Sequence, residues 1–344
     1  MRPILVPSLK SFLLLVLAAA SASAEGRQPA IFHAAGKARL ELASGERVAP
    51  RLPAGAEPVN TAALGDHGWV VTALREQEIV VQMAEGNRGA AATTLPAPPA
   101  FGGSVRREPL PLVEDGRLSG LVWLEGDGPR GLGVRSARWN GRSWEAAQTI
   151  AAPGPGSQLA LSAALLADGT WLLAWSAFDG HDDEIVWSRQ AADGTWSAPR
   201  RVAADNAVPD VTPALTATAD GALLAWSRFD GTGYQVVTAR FRGGRWAEPR
   251  AAAPTGSLFP AFQAVSGGGT PGTGAWLLYE TAAPRGWAAV EIDGSGQTGL
   301  SARVTRTAAA GHDQPVVEAA PDRSGVTFRW PGTGEERAAS WVRP

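Results

Sequence analysis

The sequence predicts an all-β chain folded as a six-bladed β-propeller of four-stranded antiparallel blades. Three observations carry that prediction: a repeat of roughly 50 residues, four short β-rich runs within each complete repeat, and no stretch with sustained helical periodicity.

The chain opens with Arg2 and Lys10, continues through the apolar run Phe12 to Ala20, and reaches Ala22-Ser23-Ala24 before Glu25. A basic start, a short apolar core and small residues at the end are the layout of a secretory signal peptide, so residues 1–24 are expected to be removed and 25–344 to form one propeller domain. The apolar core is shorter than the ~20 residues a spanning helix needs. With no cysteine, the chain can carry neither a lipid anchor on a thiol nor disulfides. The expected location is the periplasm or the exterior, with no transmembrane anchor. Removing Arg2 and Lys10 takes the 31 Lys+Arg to 29 against 33 Asp+Glu. No basic stripe is visible, which argues against a nucleic-acid partner.

The repeat is clearest at Thr170-Trp171-Leu172-Leu173-Ala174-Trp175-Ser176 and Ala222-Leu223-Leu224-Ala225-Trp226-Ser227, each preceded by Asp-Gly. Phe178-Asp179-Gly180 answers Phe229-Asp230-Gly231. Further copies are marked by Leu121-Val122-Trp123, by Trp276-Leu277-Leu278-Tyr279 and by Val326-Thr327-Phe328, and a weaker one by Trp69-Val70-Val71. Units begin near Pro58, Pro109, Leu161, Pro213, Pro260 and Pro315, spaced 51, 52, 52, 47 and 55 residues apart. The last unit has room for about three strands, so the orphan segment Ala38 to Pro50 is expected to complete it. N- and C-terminal strands would then share one blade, which removes the bare sheet edges of an open ring.

Fourteen Trp against two Tyr invites a sugar-binding interpretation. Trp123, Trp175 and Trp226 share one repeat position, however, and Trp144, Trp196 and Trp246 share another. Recurrence at a fixed blade position is expected of wedges packed between blades.

The turn Asp193-Gly194-Thr195-Trp196, with its copies Asn140-Gly141-Arg142-Ser143-Trp144, Gly243-Gly244-Arg245-Trp246 and Asp293-Gly294-Ser295-Gly296-Gln297-Thr298, resembles the Asp-box (BNR) repeat of sialidase-type propellers. That family's pattern is Ser-x-Asp-x-Gly-x-Thr-Trp, and every copy here departs from it. The resemblance implies a six-bladed propeller in which the box is a structural turn. It also implies that catalysis of the sialidase kind would need an arginine cluster and a Tyr nucleophile with an acidic partner. The family's Phe-Arg-Ile/Leu-Pro segment is absent. Tyr279 stands at a core position beside Glu280, and adjacent strand residues point to opposite faces.

In an antiparallel blade the second-third turns share a face with the interblade loops, and these vary most between units. A ligand is therefore expected there, from Asp210, His312, Asp313 and Gln314 in axial loops with Phe178, Phe229 and Tyr234 as a stacking rim. The run Asp179-Gly180-His181-Asp182-Asp183-Glu184 packs oxygen donors onto a turn. No cofactor is required by any motif, but Asp179, Asp182 and Asp183 form a candidate Ca²⁺ site. The first functional expectation is a binding module, without catalysis, for a glycan or an envelope or extracellular protein. A polysaccharide-acting hydrolase or lyase and a structural assembly subunit are the alternatives.

Overall fold

The computed structural model describes residues 29–340 except 35–36, 43, 66, 86–87, 90–92, 96–104, 127–130, 155, 157, 265–273, 294–297, 306–313, 320–324 and 332–334. The expected signal peptide lies outside the described residues. Seven antiparallel sheets succeed one another, over residues 30–48, 57–95, 105–151, 158–201, 210–251, 257–305 and 316–340, with three, five, four, four, five, four and three strands. The protein is a seven-bladed propeller. The prediction of six uniform four-stranded blades is thereby corrected. Residues 30–48 do not lend a strand to the last unit; Ala30–Ala34, Lys37–Glu41 and Arg47–Val48 pair with one another as a blade of their own. A short strand whose two edges are satisfied by its sequence neighbours has no backbone groups left for a distant partner.

The prolines that mark the repeat have a structural cause. The first strands of blades 3 to 6 each carry a bulge at the same point, where Glu108, Ala160, Thr212 and Phe259 take positive φ of 50°, 57°, 55° and 52°. Pro109, Leu161, Pro213 and Pro260 follow them directly. The bulge turns one polar group out of each ladder, and neighbouring blades use groups near it to bond. Asn60 Nδ2 donates to Pro109 O at 3.0 Å, and Leu161 N donates to Glu108 Oε2 at 3.0 Å. Leu215 N donates to Ser162 Oγ at 2.8 Å, and Gln263 Nε2 donates to Pro315 O at 2.9 Å.

Apolar clusters fill the space between consecutive blades from the first to the seventh. Trp123, Trp175 and Trp226 are fully buried in three of them, and Tyr279 takes the corresponding role in a fourth. Trp144, Trp196 and Trp246 pack against the same clusters while half-buried. All six tryptophans are wedges, as their recurrence predicts. Between the seventh and first blades the contact is ionic. Arg329 pairs with Glu41 and, at 3.1 Å, with Glu318, and Glu41 also accepts from Arg47 at 3.2 Å.

Candidate functional site: a carboxylate cluster on blade 4

The second strand of blade 4, Trp171–Phe178, turns into the third, Asp183–Arg189, with Phe178 opposite Asp183. Asp179 makes this turn. Its Oδ1 accepts from the N–H groups of His181 at 2.9 Å and Asp182 at 3.3 Å, and Gly180 supplies the φ of 113° that closes the loop. The interblade loop that follows Arg200–Arg201 folds back over this turn. There Arg201 donates to Asp179 Oδ2 at 2.6 Å and to Asp205 Oδ2 at 2.8 Å.

One oxygen each from Asp179, Asp182, Glu184 and Asp205 lies within 4.8 Å of the others. The outer pair is satisfied. Backbone hydrogen bonds, first that from His181, hold the Asp179 carboxyl below its ordinary range, and the Arg201 hydrogen bond does the same for Asp205. The inner pair differs. Asp182 and Glu184 are 9% and 2% exposed, and Asp182 Oδ1 and Glu184 Oε1 have no hydrogen-bond partner among the described residues. Burial, followed by the charge of Asp210, pushes the Glu184 carboxyl up to about 7. Burial and the surrounding carboxylates raise Asp182 as well.

The expected site residues fare unequally. Asp179 and Asp182 belong to the cluster, but Asp183 does not. It opens the strand opposite Phe178, so alternation sends its carboxylate to the face opposite that of Glu184. Its own carboxyl is raised by burial first and then by Asp182 and Asp179, and its charge is also felt by Tyr234, whose phenol is raised by burial first and Asp183 second. Tyr234 and Phe229 close the equivalent turn of blade 5 and stack edge-on at 5.5 Å, both half-buried. Phe178 is 38% exposed beside the acidic turn and backs onto Gly156, where a Cβ would stand 2.5 Å from the ring's own Cβ.

Asp210 is not an open loop residue. It begins the first strand of blade 5, is 1% exposed, and accepts from Arg228 Nε at 2.8 Å, Arg228 Nη2 at 2.7 Å and Asn206 Nδ2 at 3.1 Å. Gln314 is half-buried at the entry to blade 7, apart from the cluster. His312 and Asp313 lie outside the described residues. Glu184 stands in the acidic run read from the sequence but outside the three residues named there as a metal site, and Arg201 is a member that sequence reasoning left out. Spacing offers a signal for Glu184, because it stands two residues from Asp182 at the start of a strand.

All four donors are carboxylate oxygens, a set that could coordinate a hard divalent cation such as Ca²⁺. On the opposite face, Asp193 Oδ1 accepts from Thr195 N at 2.9 Å, and Asn140 Oδ1 accepts from Arg142 N at 3.0 Å and Ser143 N at 2.9 Å. These turns are self-satisfied scaffold. Among the described residues no helix is long and apolar enough to cross a membrane.

No protein-family model and no curated protein matches this chain. Solved structures do. A protein of unknown function from Dyadobacter fermentans aligns with a TM-score of 0.51 at 14% identity, over 84% of this chain and 99% of that one. The GH93 α-L-arabinofuranosidase of Fusarium graminearum aligns at 0.46 with 11% identity, over 85% and 95%. An endo-arabinase from Bacteroides thetaiotaomicron aligns at 0.41 with 13% identity, over 85% and 97%. At these identities the likeness is one of fold.

The expectation of a binding module without catalysis is corrected by the cluster itself. The face was expected to bind through exposed axial-loop residues, Asp210, His312, Asp313 and Gln314, with an aromatic rim. It holds instead two buried carboxyl groups, each with one oxygen lacking a hydrogen-bond partner among the described residues, in a cluster that is a candidate acid–base or metal centre. The likeness to the Dyadobacter fermentans protein is one of fold alone.

Proposed function

We propose that this protein is an exported, glycan-acting enzyme, a polysaccharide hydrolase or lyase, whose reacting centre is Asp182 and Glu184 on blade 4. One observation carries this: two nine-tenths-buried carboxyl groups with unpartnered oxygens stand side by side at a loop-covered turn. Carboxylates are the groups with which enzymes break glycosidic bonds, as acid and base or as holders of a Lewis-acidic cation. Phe178, exposed beside the turn, offers a flat apolar surface for a sugar ring. Arg201 and Arg228 brace the surrounding Asp179, Asp205 and Asp210. The proposed export is supported by the signal-peptide layout of residues 1–24, and it would bring the site to where polysaccharides are met.

The test is to incubate the chain from Glu25 onward with neutral and uronate-containing polysaccharides and to measure new reducing ends and unsaturated products. Glu184→Gln and Asp182→Asn are expected to lower turnover at least ~100-fold, in the range seen when a positioned acid or base is lost. Asp168→Asn, altering an exposed carboxylate on the opposite face, is expected to leave it unchanged. Undiminished turnover in the Asp182/Glu184 double variant would remove the cluster from the chemistry.

A further inference from the structure

The charge around the blade 4 turn does not balance. Asp179, Asp182, Glu184, Asp205 and Asp210 contribute five carboxylates, while Arg201 and Arg228 contribute two guanidinium groups. Both cations are already engaged, Arg201 with the outer oxygens of Asp179 and Asp205, and Arg228 with both oxygens of Asp210. Asp182 and Glu184 each place a carboxylate oxygen in the cluster, their side chains are almost entirely buried, and Asp182 Oδ1 and Glu184 Oε1 have no hydrogen-bond partner among the described residues. A buried anion in that condition costs several kcal/mol unless something neutralises it.

Which species would do so follows from the donors. The cluster offers oxygens alone, with no thiol in the chain, and the His181 side chain stands in the exposed part of the turn. Oxygen-only sites suit hard cations. The donor atoms lie within 4.8 Å of one another. Separations up to that bound are those of oxygens held about 2.3–2.6 Å from a Ca²⁺ ion, and Ca²⁺ accepts an irregular oxygen set more readily than Mg²⁺, which demands a near-ideal octahedron.

We infer that Asp182 and Glu184, completed by Asp179 and Asp205, bind one Ca²⁺-class cation that fastens the second-third turn of blade 4 to the loop entering blade 5. The ion would join two segments about 20 residues apart that Arg201 also bridges. It shares its carboxylates with the proposed glycan site but does not depend on that activity.

The chain from Glu25 onward, stripped with chelator and dialysed, is titrated with CaCl₂ while thermal stability is followed. Tb³⁺ luminescence excited through tryptophan reports occupancy directly, since Trp187 lies on the same strand as Glu184. Saturable binding with one ion per chain and a dissociation constant on the order of 10⁻⁴ M is expected, typical of extracellular Ca²⁺ modules. Mg²⁺ is expected to compete at least tenfold less well. Glu184→Gln and Asp182→Asn should each weaken binding at least tenfold while keeping, or raising, the melting temperature of the cation-free protein, because they relieve repulsion. That combination separates a ligand from a merely structural residue. Absence of any Ca²⁺-dependent shift or Tb³⁺ signal, or binding unchanged in both variants, would overturn the site. Cation binding without glycan turnover would uphold it and count only against the enzymatic proposal.

Discussion

Blades 4 and 5 build the same turn and load it differently. Phe178-Asp179-Gly180 and Phe229-Asp230-Gly231 leave equivalent strands, Gly180 and Gly231 both take positive φ, and both aspartates cap their own loops through Oδ1. Following the strand register onward, Asp182 corresponds to Gly233, Glu184 to Gln235, Arg201 to Ala251 and Asp205 to Thr255. In blade 5 Thr255 bonds Asp230 directly, and no carboxylate cluster forms among the described residues. The turn is therefore scaffold that folds with neutral residues after it. The carboxylates of blade 4 are additions that the fold does not require.

If that division is right, damage to what the two blades share should be costly in both. Trp175 and Trp226 are fully buried at one repeat position. Replacing either by Ala is expected to cost about 3–5 kcal/mol in chemical denaturation, by lost burial and an unfilled cavity. A loss confined to one blade would show that the repeat does not impose one packing.

Asp210 lies at the boundary between the blades. Asp210→Ala leaves Arg228 without its bidentate partner, and a loss of about 3 kcal/mol is expected, at the lower end for a broken buried pair because Arg228 retains some solvent. Sequence alone suggested an axial-loop position, and replacing an exposed loop residue leaves stability nearly unchanged. The measured stability of this variant distinguishes the two directly.

A smaller effect sharpens the comparison at the bulge. Its residue is ionisable in blade 3, as Glu108, and neutral in blades 4 and 5, as Ala160 and Thr212. Burial raises the Glu108 carboxyl above its ordinary value of 4.5, against the lowering effect of the hydrogen bond from Leu161. A raised carboxyl binds its proton more tightly in the folded state. Its stabilising contribution is complete below the ordinary carboxyl range and is lost as pH climbs through 4.5 towards the raised value. Glu108→Gln keeps an acceptor for Leu161 N and removes the titration. The fall in melting temperature over that window should flatten in this variant, and an unchanged slope would place the proton elsewhere.

Much of this was legible in residues 1–344 as a string. The propeller rhythm, the wedge tryptophans and the face that bears variable loops all follow from recurrence, because a repeated position meets a repeated environment. The unit boundaries read at Pro109, Leu161, Pro213 and Pro260 are the bulges of the first strands. The blade count was not legible. Residues 30–48 bear no Asp-Gly or Trp mark of the repeat, and whether they form an edge strand or a blade depends on which backbone groups pair, a choice settled only in three dimensions.

The site divides the same way. Sequence by itself determined that residues 179–184 concentrate carboxylates on a glycine-containing turn, since composition and turn chemistry are local. Only the tertiary structure decided that Asp205 joins them, that Asp183 turns away and that Asp210 is committed to Arg228. Those outcomes depend on how an interblade loop folds back and on which face a strand presents at its first residue. Burial, which turns Asp182 and Glu184 from surface acids into uncompensated ones, is a property of their neighbours, and no residue carries it in its name.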